Sequence, residues 1–373
     1  MTNRFFEVIK DNGRARVGII KTAHGDIETP VFMPVGTLAT VKGIFPSDLK
    51  KIGVQILLGN TYHLMLRPGE NLIQKMGGLQ KFMNWNKPIL TDSGGFQIWS
   101  LSKLRSLDNN GVTFSSHIDG AKCRLTPKSV INIQKKLNSN ISMVLDECTN
   151  YPATHHESKS SLELTHNWAK KCKLEYKQKT GFGLFSIVQG GMFKDLREKS
   201  VNFLKELDFD GYAIGGLSVG EKHHKMIEIV DYTSKLLPFS KPRYLMGVGR
   251  PIDILRSVER GIDMFDCVLP TRFGRNGRAF TTDGEINLRN SKFSSDKSPL
   301  DRNLKCFVSN EFSKSYIHHL TKTNEILSSM ILSLHNIAFY QKMMSDIRNA
   351  IKNSTLEQLI YLYLKKHGEY ERT

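Results

Sequence analysis

The sequence is poor in cysteine and tryptophan, and it has no long apolar run. Its 373 residues include five cysteines and three tryptophans. Five scattered cysteines, an odd number, do not suit a disulfide framework, so reduced thiols are expected. No apolar stretch approaches the ~20 residues that a membrane-spanning helix needs, and the N-terminus lacks the apolar core of a signal peptide. The sequence therefore predicts a cytoplasmic protein without a membrane partner.

Glycine-rich nucleotide motifs are also missing, and acidic residues are scarce. The segment GVGRP (247–251) is not a GxGxxG motif, and no GxxxxGK[ST] loop occurs, which argues against nicotinamide cofactors and ATP. Lysine and arginine number 53 against 36 acidic residues, a formal net charge of +17. Such an excess indicates a polyanionic partner such as nucleic acid, although a solvated basic surface would have the same composition.

Eight short apolar runs alternate with segments of helical periodicity such as 127–140, 194–208 and 225–237. Runs of this length suit strands that are buried on both faces. The alternation predicts an α/β fold, a parallel sheet closed as a TIM (β/α)8 barrel, with an open doubly wound sheet as the alternative. The runs are 29–37, 54–62, 87–95, 141–148, 183–191, 211–217, 244–249 and 263–270.

The C-terminal part of the chain departs from this alternation. Residues 285–310 are polar and turn-rich, and from about 312 the pattern is helical. We therefore predict a barrel core over 1–284, a subdomain over 285–345, and a C-terminal helical segment over 346–373 that packs on the barrel.

Polar residues or glycine end five of the predicted strands: Asp92, Asp146, Gln189, Gly216 and Asp266. In a barrel these ends form one rim, where catalytic groups lie. A carboxylate at a buried strand end is costly to ionise unless it is paired or used, although each could instead cap a helix. Three aspartates at equivalent positions favour a shared site.

Glycine pairs lie beside three of these strand ends, at 94–95, 190–191 and 215–216. Glycine lets the backbone approach a flat ligand closely, although tight turns would also explain the pairs. Arg272, Arg275 and Arg278 follow Asp266 on a segment predicted to be a flexible loop. Arginines there suit a phosphate backbone and splayed bases, and a surface network with carboxylates is the alternative.

These groups together predict a base-exchange reaction. Breaking an N-glycosidic bond develops positive charge at the sugar C1′, which a carboxylate can stabilise or attack. A second carboxylate can move protons on the base. A third can accept from the N1–H and 2-amino donors of guanine, while a glutamine or a glycine N–H holds O6. The target base must first leave its stack.

Over essentially its whole length the chain resembles the bacterial tRNA-guanine transglycosylases, also called queuine tRNA-ribosyltransferases. The resemblance implies a TIM-barrel homodimer that replaces guanine with preQ1 (7-aminomethyl-7-deazaguanine) at wobble position 34 of tRNAs with GUN anticodons (Asp, Asn, His, Tyr), a step of queuosine biosynthesis. The matching strings are PVGTLATVKG, GNTYHLMLRPG, LTDSGGFQ, LDECT, VQGGMF, YAIGGLSVGE, YLMGVG, DMFDCVLPTRFGRNGRAFT, YIHHL and HNIAFY.

The resemblance also implies roles for individual residues. Asp266 would be the nucleophile of a double displacement through a covalent enzyme–RNA intermediate, and Asp92 the proton acceptor. Val219 and Cys148 match the type that takes preQ1 rather than queuine. The substrate-binding positions would be Ser93, Gly94, Gly95, Phe96 (stacked on the base), Asp146, Cys148, Gln189, Gly216, Leu217 and Met246. The RNA-binding positions would be Gly247, Val248, Gly249, Arg250, Pro251, Ile252, Asp253, Thr271, Arg272, Phe273, Gly274 and Arg275.

The family's zinc site is altered in this sequence. Its four ligand positions read Leu304, Cys306, Ser309 and His335, so two cysteines are replaced. Structural zinc normally needs four protein ligands. We therefore predict that Cys306 and His335 form only a residual half-site, and that helix packing holds the subdomain together.

Two other function classes are compatible with parts of the sequence. A barrel glycosidase would also carry a carboxylate pair, but its sugar subsites are usually rich in tryptophan, and the charge here is strongly basic. A non-catalytic tRNA-binding paralogue would be expected to have lost the nucleophile, and Asp266 is present.

Overall fold

A closed, eight-stranded parallel barrel forms the centre of the computed structural model, which describes residues 4–101 and 105–368. In chain order the strands are β1 (Phe6–Asn12), β2 (Ala15–Thr22), β3 (Gly25–Thr29), β4 (Val31–Gly36), β5 (Leu57–Gly59), β6 (Ile89–Thr91), β7 (Arg105–Asp108), β8 (Gly111–Ser115), β9 (Lys122–Leu125), β10 (Ile141–Met143), β11 (Gly183–Val188), β12 (Gly211–Ile214), β13 (Arg243–Leu245), β14 (Met264–Cys267), β15 (Arg278–Thr281) and β16 (Gly284–Asn287). The barrel order is β4-β5-β6-β10-β11-β12-β13-β14. Since β14 pairs with β4, the TIM-barrel prediction is confirmed and the open sheet was wrong.

Seven barrel strands lie within predicted apolar runs, and β13 begins one residue before the run 244–249. The predicted helices are α6, α8 and α9. Helix α6 shows why the sequence folds this way locally. Thr126 caps it in a capping box with Ser129, Pro127 occupies its first turn, and Val130 and Ile133 are buried on its inner face. The helices are α1 (Pro46–Lys51), α2 (Thr61–Leu66), α3 (Glu70–Lys75), α4 (Leu79–Phe82), α5 (Gly95–Leu101), α6 (Pro127–Lys136), α7 (His155–Glu175), α8 (Lys194–Glu206), α9 (His223–Leu236), α10 (Pro251–Glu259), α11 (Leu269–Arg275), α12 (Phe307–Asn310), α13 (Lys314–Lys322), α14 (Ile326–Lys352) and α15 (Leu356–His367).

Three antiparallel units surround the barrel, and the sequence patterns did not identify them. They are the sheet β1-β2-β3, the sheet β7-β8-β9 and the hairpin β15-β16. The segment 270–280 also differs from the predicted flexible loop, because it forms helix α11 and then strand β15. The arginines of this segment are therefore carried on regular structure.

The C-terminal region is helical, as predicted, and helix α14 is its main support. α14 is 27 residues long and contacts α11, β4 and β15. Asn336 on α14 donates to the carbonyl oxygens of Pro270 and Arg278 at 2.9 and 3.0 Å and accepts from the Phe280 N–H. This helix therefore fixes the arginine-bearing segment.

The division into three domains stays a prediction. Within the described ranges, no helix is long and apolar enough to cross a membrane.

A buried ion pair joins the N-terminal sheet to the start of β14. Arg16 binds both carboxylate oxygens of Asp263, at 2.9 and 2.6 Å. Both side chains are fully buried, and Asp263 Oδ2 also accepts from the Arg243 N–H. Removing one member of such a pair leaves an uncompensated buried charge.

We expect Asp263→Asn to lower the free energy of unfolding by about 3–5 kcal/mol, measured by urea denaturation. The matched control is Asp208→Asn, which removes an exposed carboxylate 2.9 Å from Lys241 and should cost under about 1 kcal/mol. Equal losses in the two variants would contradict a special contribution from the buried pair.

Candidate active site

The predicted residues meet at one end of the barrel. Asp92 directly follows β6, Gln189 directly follows β11, and Met246 directly follows β13. Asp146 lies three residues beyond β10, and Asp266 is within the last two residues of β14. These are the carboxyl ends of parallel strands, so the structure brings the side chains to the rim where TIM barrels carry out their chemistry.

Asp266 is held by two hydrogen bonds to the same carboxylate oxygen. The Tyr244 hydroxyl donates to Oδ1 at 2.5 Å and the Gly247 N–H at 2.8 Å. Both donors contact Oδ1 and not Oδ2, so Oδ2 is the oxygen that they leave for a substrate atom. Burial raises the pKa of Asp266, while the two donors lower it. Tyr244 lies in the middle of β13 within an apolar run, so its hydroxyl was not predictable as a site group.

Asp92 is buried and strongly hydrogen-bonded. Asn60 Nδ2 donates to Oδ2 at 2.5 Å, and the Thr61 N–H donates to Oδ1 at 2.8 Å. Burial raises its pKa to about 6 although these hydrogen bonds lower it, and the negative charge of Asp266 makes a smaller contribution in the same direction as burial. Asp92 and Asp266 therefore interact electrostatically from the ends of β6 and β14. Asn60 directly follows β5, so the strand-end rule that found Asp92 could have found it too.

Asp146 joins three strand ends into one polar pocket. Ser93 Oγ donates to its Oδ1 at 3.0 Å, and Gln189 Nε2 donates to its Oδ2 at 2.8 Å. Burial raises the pKa of Asp146 to about 6. Gly216 has φ +67°, and a Cβ there would lie 2.4 Å from Gln189 Oε1. Glycine is therefore needed for this backbone to approach Gln189 so closely.

A buried arginine supports the two glycine-containing loops of this pocket. Arg197, on α8, donates to the carbonyl oxygens of Val188 and Gly215, both at 2.8 Å, and to that of Gly191 at 3.0 Å. Burial lowers its pKa to about 10. Arg197 was not among the predicted site residues, although an arginine spaced four and seven residues from the buried Val201 and Leu204 was a usable signal.

The other predicted substrate residues surround this pocket. Phe96 is 49% exposed, with its ring centroid 5.4 Å from that of Trp99. Cys148 and Leu217 are buried, and burial raises the pKa of the Cys148 thiol. A cavity of about 270 Å³ continues past Gln189, Gly216 and Val219. Gly94 directly precedes α5 and Gly95 is its first residue. A Cβ on Gly95 would lie 2.5 Å from the Asp146 carbonyl oxygen.

The predicted RNA-binding stretches flank Asp266. In 247–253, Gly247 is exposed and Arg250 half-buried, whereas Val248, Ile252 and Asp253 are buried. The second stretch has Arg272 exposed and Arg275 half-buried. Thr271, Phe273 and Gly274 are buried, and a Cβ on Gly274 would lie 2.6 Å from the Ser333 nitrogen. The buried members can support the backbone, and the arginines offer positive charge at the surface.

The four positions of the expected zinc site do not fit the ion. Leu304 is apolar and buried. The Ser309 hydroxyl lies 2.8 Å from His335 Nδ1, and His335 Nε2 lies 2.8 Å from the Phe280 carbonyl oxygen, so both ring nitrogens are hydrogen-bonded. Burial lowers the pKa of His335 to about 4, which keeps the ring neutral. In residues 4–101 and 105–368 no cluster of three or more His, Cys, Asp or Glu could hold a metal.

We expect purified protein to hold less than about 0.1 zinc per chain by elemental analysis, because two ligands cannot complete a tetrahedral site. The double variant Leu304→Cys plus Ser309→Cys restores four ligands and should bind about one zinc per chain. One tightly held zinc in the unaltered protein would contradict this prediction.

Comparison with known proteins gives one consistent family. A family described as "Queuine tRNA-ribosyltransferase" matches residues 11–369. A queuine tRNA-ribosyltransferase of Acinetobacter baylyi is 51% identical over 97% of this chain and 95% of its own length. A protein of the same name from Acinetobacter baumannii is 51% identical, with 97% of both chains covered. Another, from Rickettsia massiliae, is 53% identical over 94% of this chain and 98% of its own.

Proposed function

Because the chain belongs to the queuine tRNA-ribosyltransferase family, whose members are transferases, we propose that it replaces guanine with preQ1 at wobble position 34 of tRNAs with GUN anticodons. These are the tRNAs for Asp, Asn, His and Tyr, and the exchange is a step of queuosine biosynthesis. The observation that carries the proposal is the placement of two buried carboxylates, Asp92 and Asp266, at the carboxyl ends of barrel strands, with the hydrogen-bonded carboxylate of Asp146 at the same rim.

Asp266 begins the reaction as the nucleophile. Its Oδ2 attacks C1′ of the flipped-out nucleotide, the C1′–N9 bond breaks, and guanine leaves with the bonding electron pair. A covalent enzyme–RNA ester remains. The Tyr244 hydroxyl and the Gly247 N–H hold Oδ1, so the carboxylate is oriented with the other oxygen toward the sugar.

Asp92 then acts on the incoming base. It accepts the N9 proton of preQ1, and the base nitrogen attacks C1′ and releases Asp266. A pKa of about 6 leaves Asp92 mostly ionised at neutral pH and still basic enough to take a proton. The Asn60 and Thr61 donors hold its carboxylate in place.

The pocket of Asp146 would read the base. Its carboxylate can accept from the N1–H and 2-amino group, and Gln189 or the backbone near Gly216 can hold O6. Phe96, exposed at the mouth, would stack on the ring. Val219 on the wall of the cavity supports preQ1 rather than the bulkier queuine.

RNA binding completes the proposal. Arg250, Arg272 and Arg275 would hold the nucleotides next to the wobble base, with phosphate contacts giving affinity. We also propose a homodimer in which one subunit holds the tRNA.

The test is incorporation of radiolabelled guanine into a tRNA with a GUN anticodon. Label should enter this tRNA and should not enter a matched transcript with adenine at position 34. Absence of incorporation into either RNA would overturn the proposed activity. Competition of unlabelled preQ1 and queuine against the label should show preQ1 to be the stronger competitor, and the reverse order would overturn the substrate assignment.

A further inference from the structure

A four-residue cluster lies beside the active site, and two of its members, Glu285 and Arg278, have no part in the function proposed above. Glu285, on β16, pairs with Arg250 Nη1 at 2.8 Å through Oε2 and with Arg278 through Oε1. The guanidinium carbons of Arg250 and Arg278 lie 5.0 and 4.3 Å from the centroid of the Phe273 ring. One carboxylate therefore holds two arginines against one aromatic ring.

Without that carboxylate the arrangement would be unfavourable. Two guanidinium groups packed against the same ring repel each other, and cation–π contacts alone are weak. Arginine–carboxylate pairs add directional charge-assisted hydrogen bonds. With Glu285 in place, the cluster keeps a net charge of +1, so it still attracts an anion.

The cluster is coupled to the nucleophile through a short backbone path. Arg250 is the N-cap residue of α10, three residues after Gly247, whose N–H donates to Asp266. Between them, a Cβ on Gly249 would lie 2.3 Å from the Cys267 Cβ, so this backbone packs directly on β14. The Tyr340 hydroxyl donates to the Gly249 carbonyl oxygen. The backbone of Arg250 is therefore held in a fixed position relative to Asp266.

We propose that Glu285 is a positioning residue for RNA binding: it orients the guanidinium groups of Arg250 and Arg278, which together bind a backbone phosphate of the RNA. This rests on the proposed tRNA substrate and adds a residue to it. Glu285 itself does not touch the reacting atoms. A carboxylate at an RNA-binding surface would normally repel phosphate, so its benefit comes only through the geometry of the two arginines.

Glu285→Gln separates this role from a purely electrostatic one. Removing a negative charge should tighten RNA binding if charge alone matters. The positioning role predicts the opposite sign, a rise of about five- to tenfold in KM for tRNA with kcat changed less than about twofold. KM for guanine should not change. A KM for tRNA that falls or stays constant would overturn the proposal.

The matched control is Glu259→Gln, at the other end of α10. Glu259 also pairs with two arginines, Arg256 at 3.6 Å and Arg260 at 2.9 Å, and its loss changes the net charge equally. It should leave both KM values within about twofold of wild type. A rise in KM for tRNA as large as that of Glu285→Gln would overturn the local role.

A double-mutant cycle guards against misfolding of the single variant. In an Arg250→Ala plus Arg278→Ala background, Glu285→Gln should raise KM for tRNA no further; an undiminished rise there would overturn the proposal. Direct binding of an anticodon stem-loop, measured by fluorescence anisotropy, should weaken in Glu285→Gln as KM rises. If the wild type incorporates no guanine, the proposed exchange fails, and this binding measurement still tests the role of Glu285.

Discussion

Asp266→Asn should abolish guanine exchange, with a loss of kcat of at least about 1,000-fold. The amide keeps the shape of the side chain and can still accept from Tyr244 and Gly247 through its oxygen, but it cannot form the ester with C1′. The measurement is the initial rate of radiolabelled guanine incorporation under saturating tRNA.

Binding and covalent trapping provide the control for this variant. Wild-type protein incubated with tRNA should give a protein–RNA band that survives denaturing electrophoresis, and Asp266→Asn should give none. Its affinity for the anticodon stem-loop should stay within about threefold of wild type, because the RNA-facing arginines are unchanged. A covalent band of normal intensity would show that another residue is the nucleophile.

Asp92→Asn should lower kcat by about 100- to 10,000-fold, the range of general acid–base contributions. The asparagine cannot take the N9 proton of the incoming base. The variant protein should fold normally. Burial raises the pKa of the Asp92 carboxyl to about 6, so the substitution removes a charge that the folded protein disfavours. Thermal unfolding at pH 7.5 should therefore occur at the same or a higher temperature. Exchange at the wild-type rate would contradict the role of Asp92.

The pH dependence of the exchange rate follows from the raised pKa of Asp92. A proton acceptor works only when ionised, so the wild-type rate should rise with pH through about 6 and fall about tenfold per unit well below it. Protonation of Asp146, with a pKa also raised to about 6, should weaken binding of guanine over the same range. A constant kcat/KM for the base between pH 5 and 7 would contradict both assignments.

The barrel and its rim were predictable from the sequence because buried parallel strands leave a direct pattern. Each of the eight continuous apolar runs coincides with a barrel strand to within one residue at the strand start or contains it, and polar residues after the apolar part, such as Asp92 and Gln189, lie at the rim. The motifs identified the family, which the comparisons confirm.

The outer elements and the supporting side chains were not predictable in the same way. Strand β7 is largely exposed, so it lacks the apolar run that marks a barrel strand. Tyr244 and Arg197 act through hydrogen bonds between elements distant in sequence. Local spacing can place Arg197 on the buried face of α8, but the groups that it binds depend on how the barrel closes. The roles assigned to the individual site residues stay predictions until the variants are measured.

The hydrogen bond between Ser309 and His335 changes how the subdomain should respond to its surroundings. Thiolate–zinc sites are vulnerable to chelators and to oxidants that eject the metal. Here the histidine is held by a hydroxyl and a carbonyl oxygen, and burial raises the pKa of the neighbouring Cys306 thiol, which disfavours its reactive thiolate. We expect the surface proposed to bind RNA, which α14 supports, to keep its shape through metal starvation and oxidative stress.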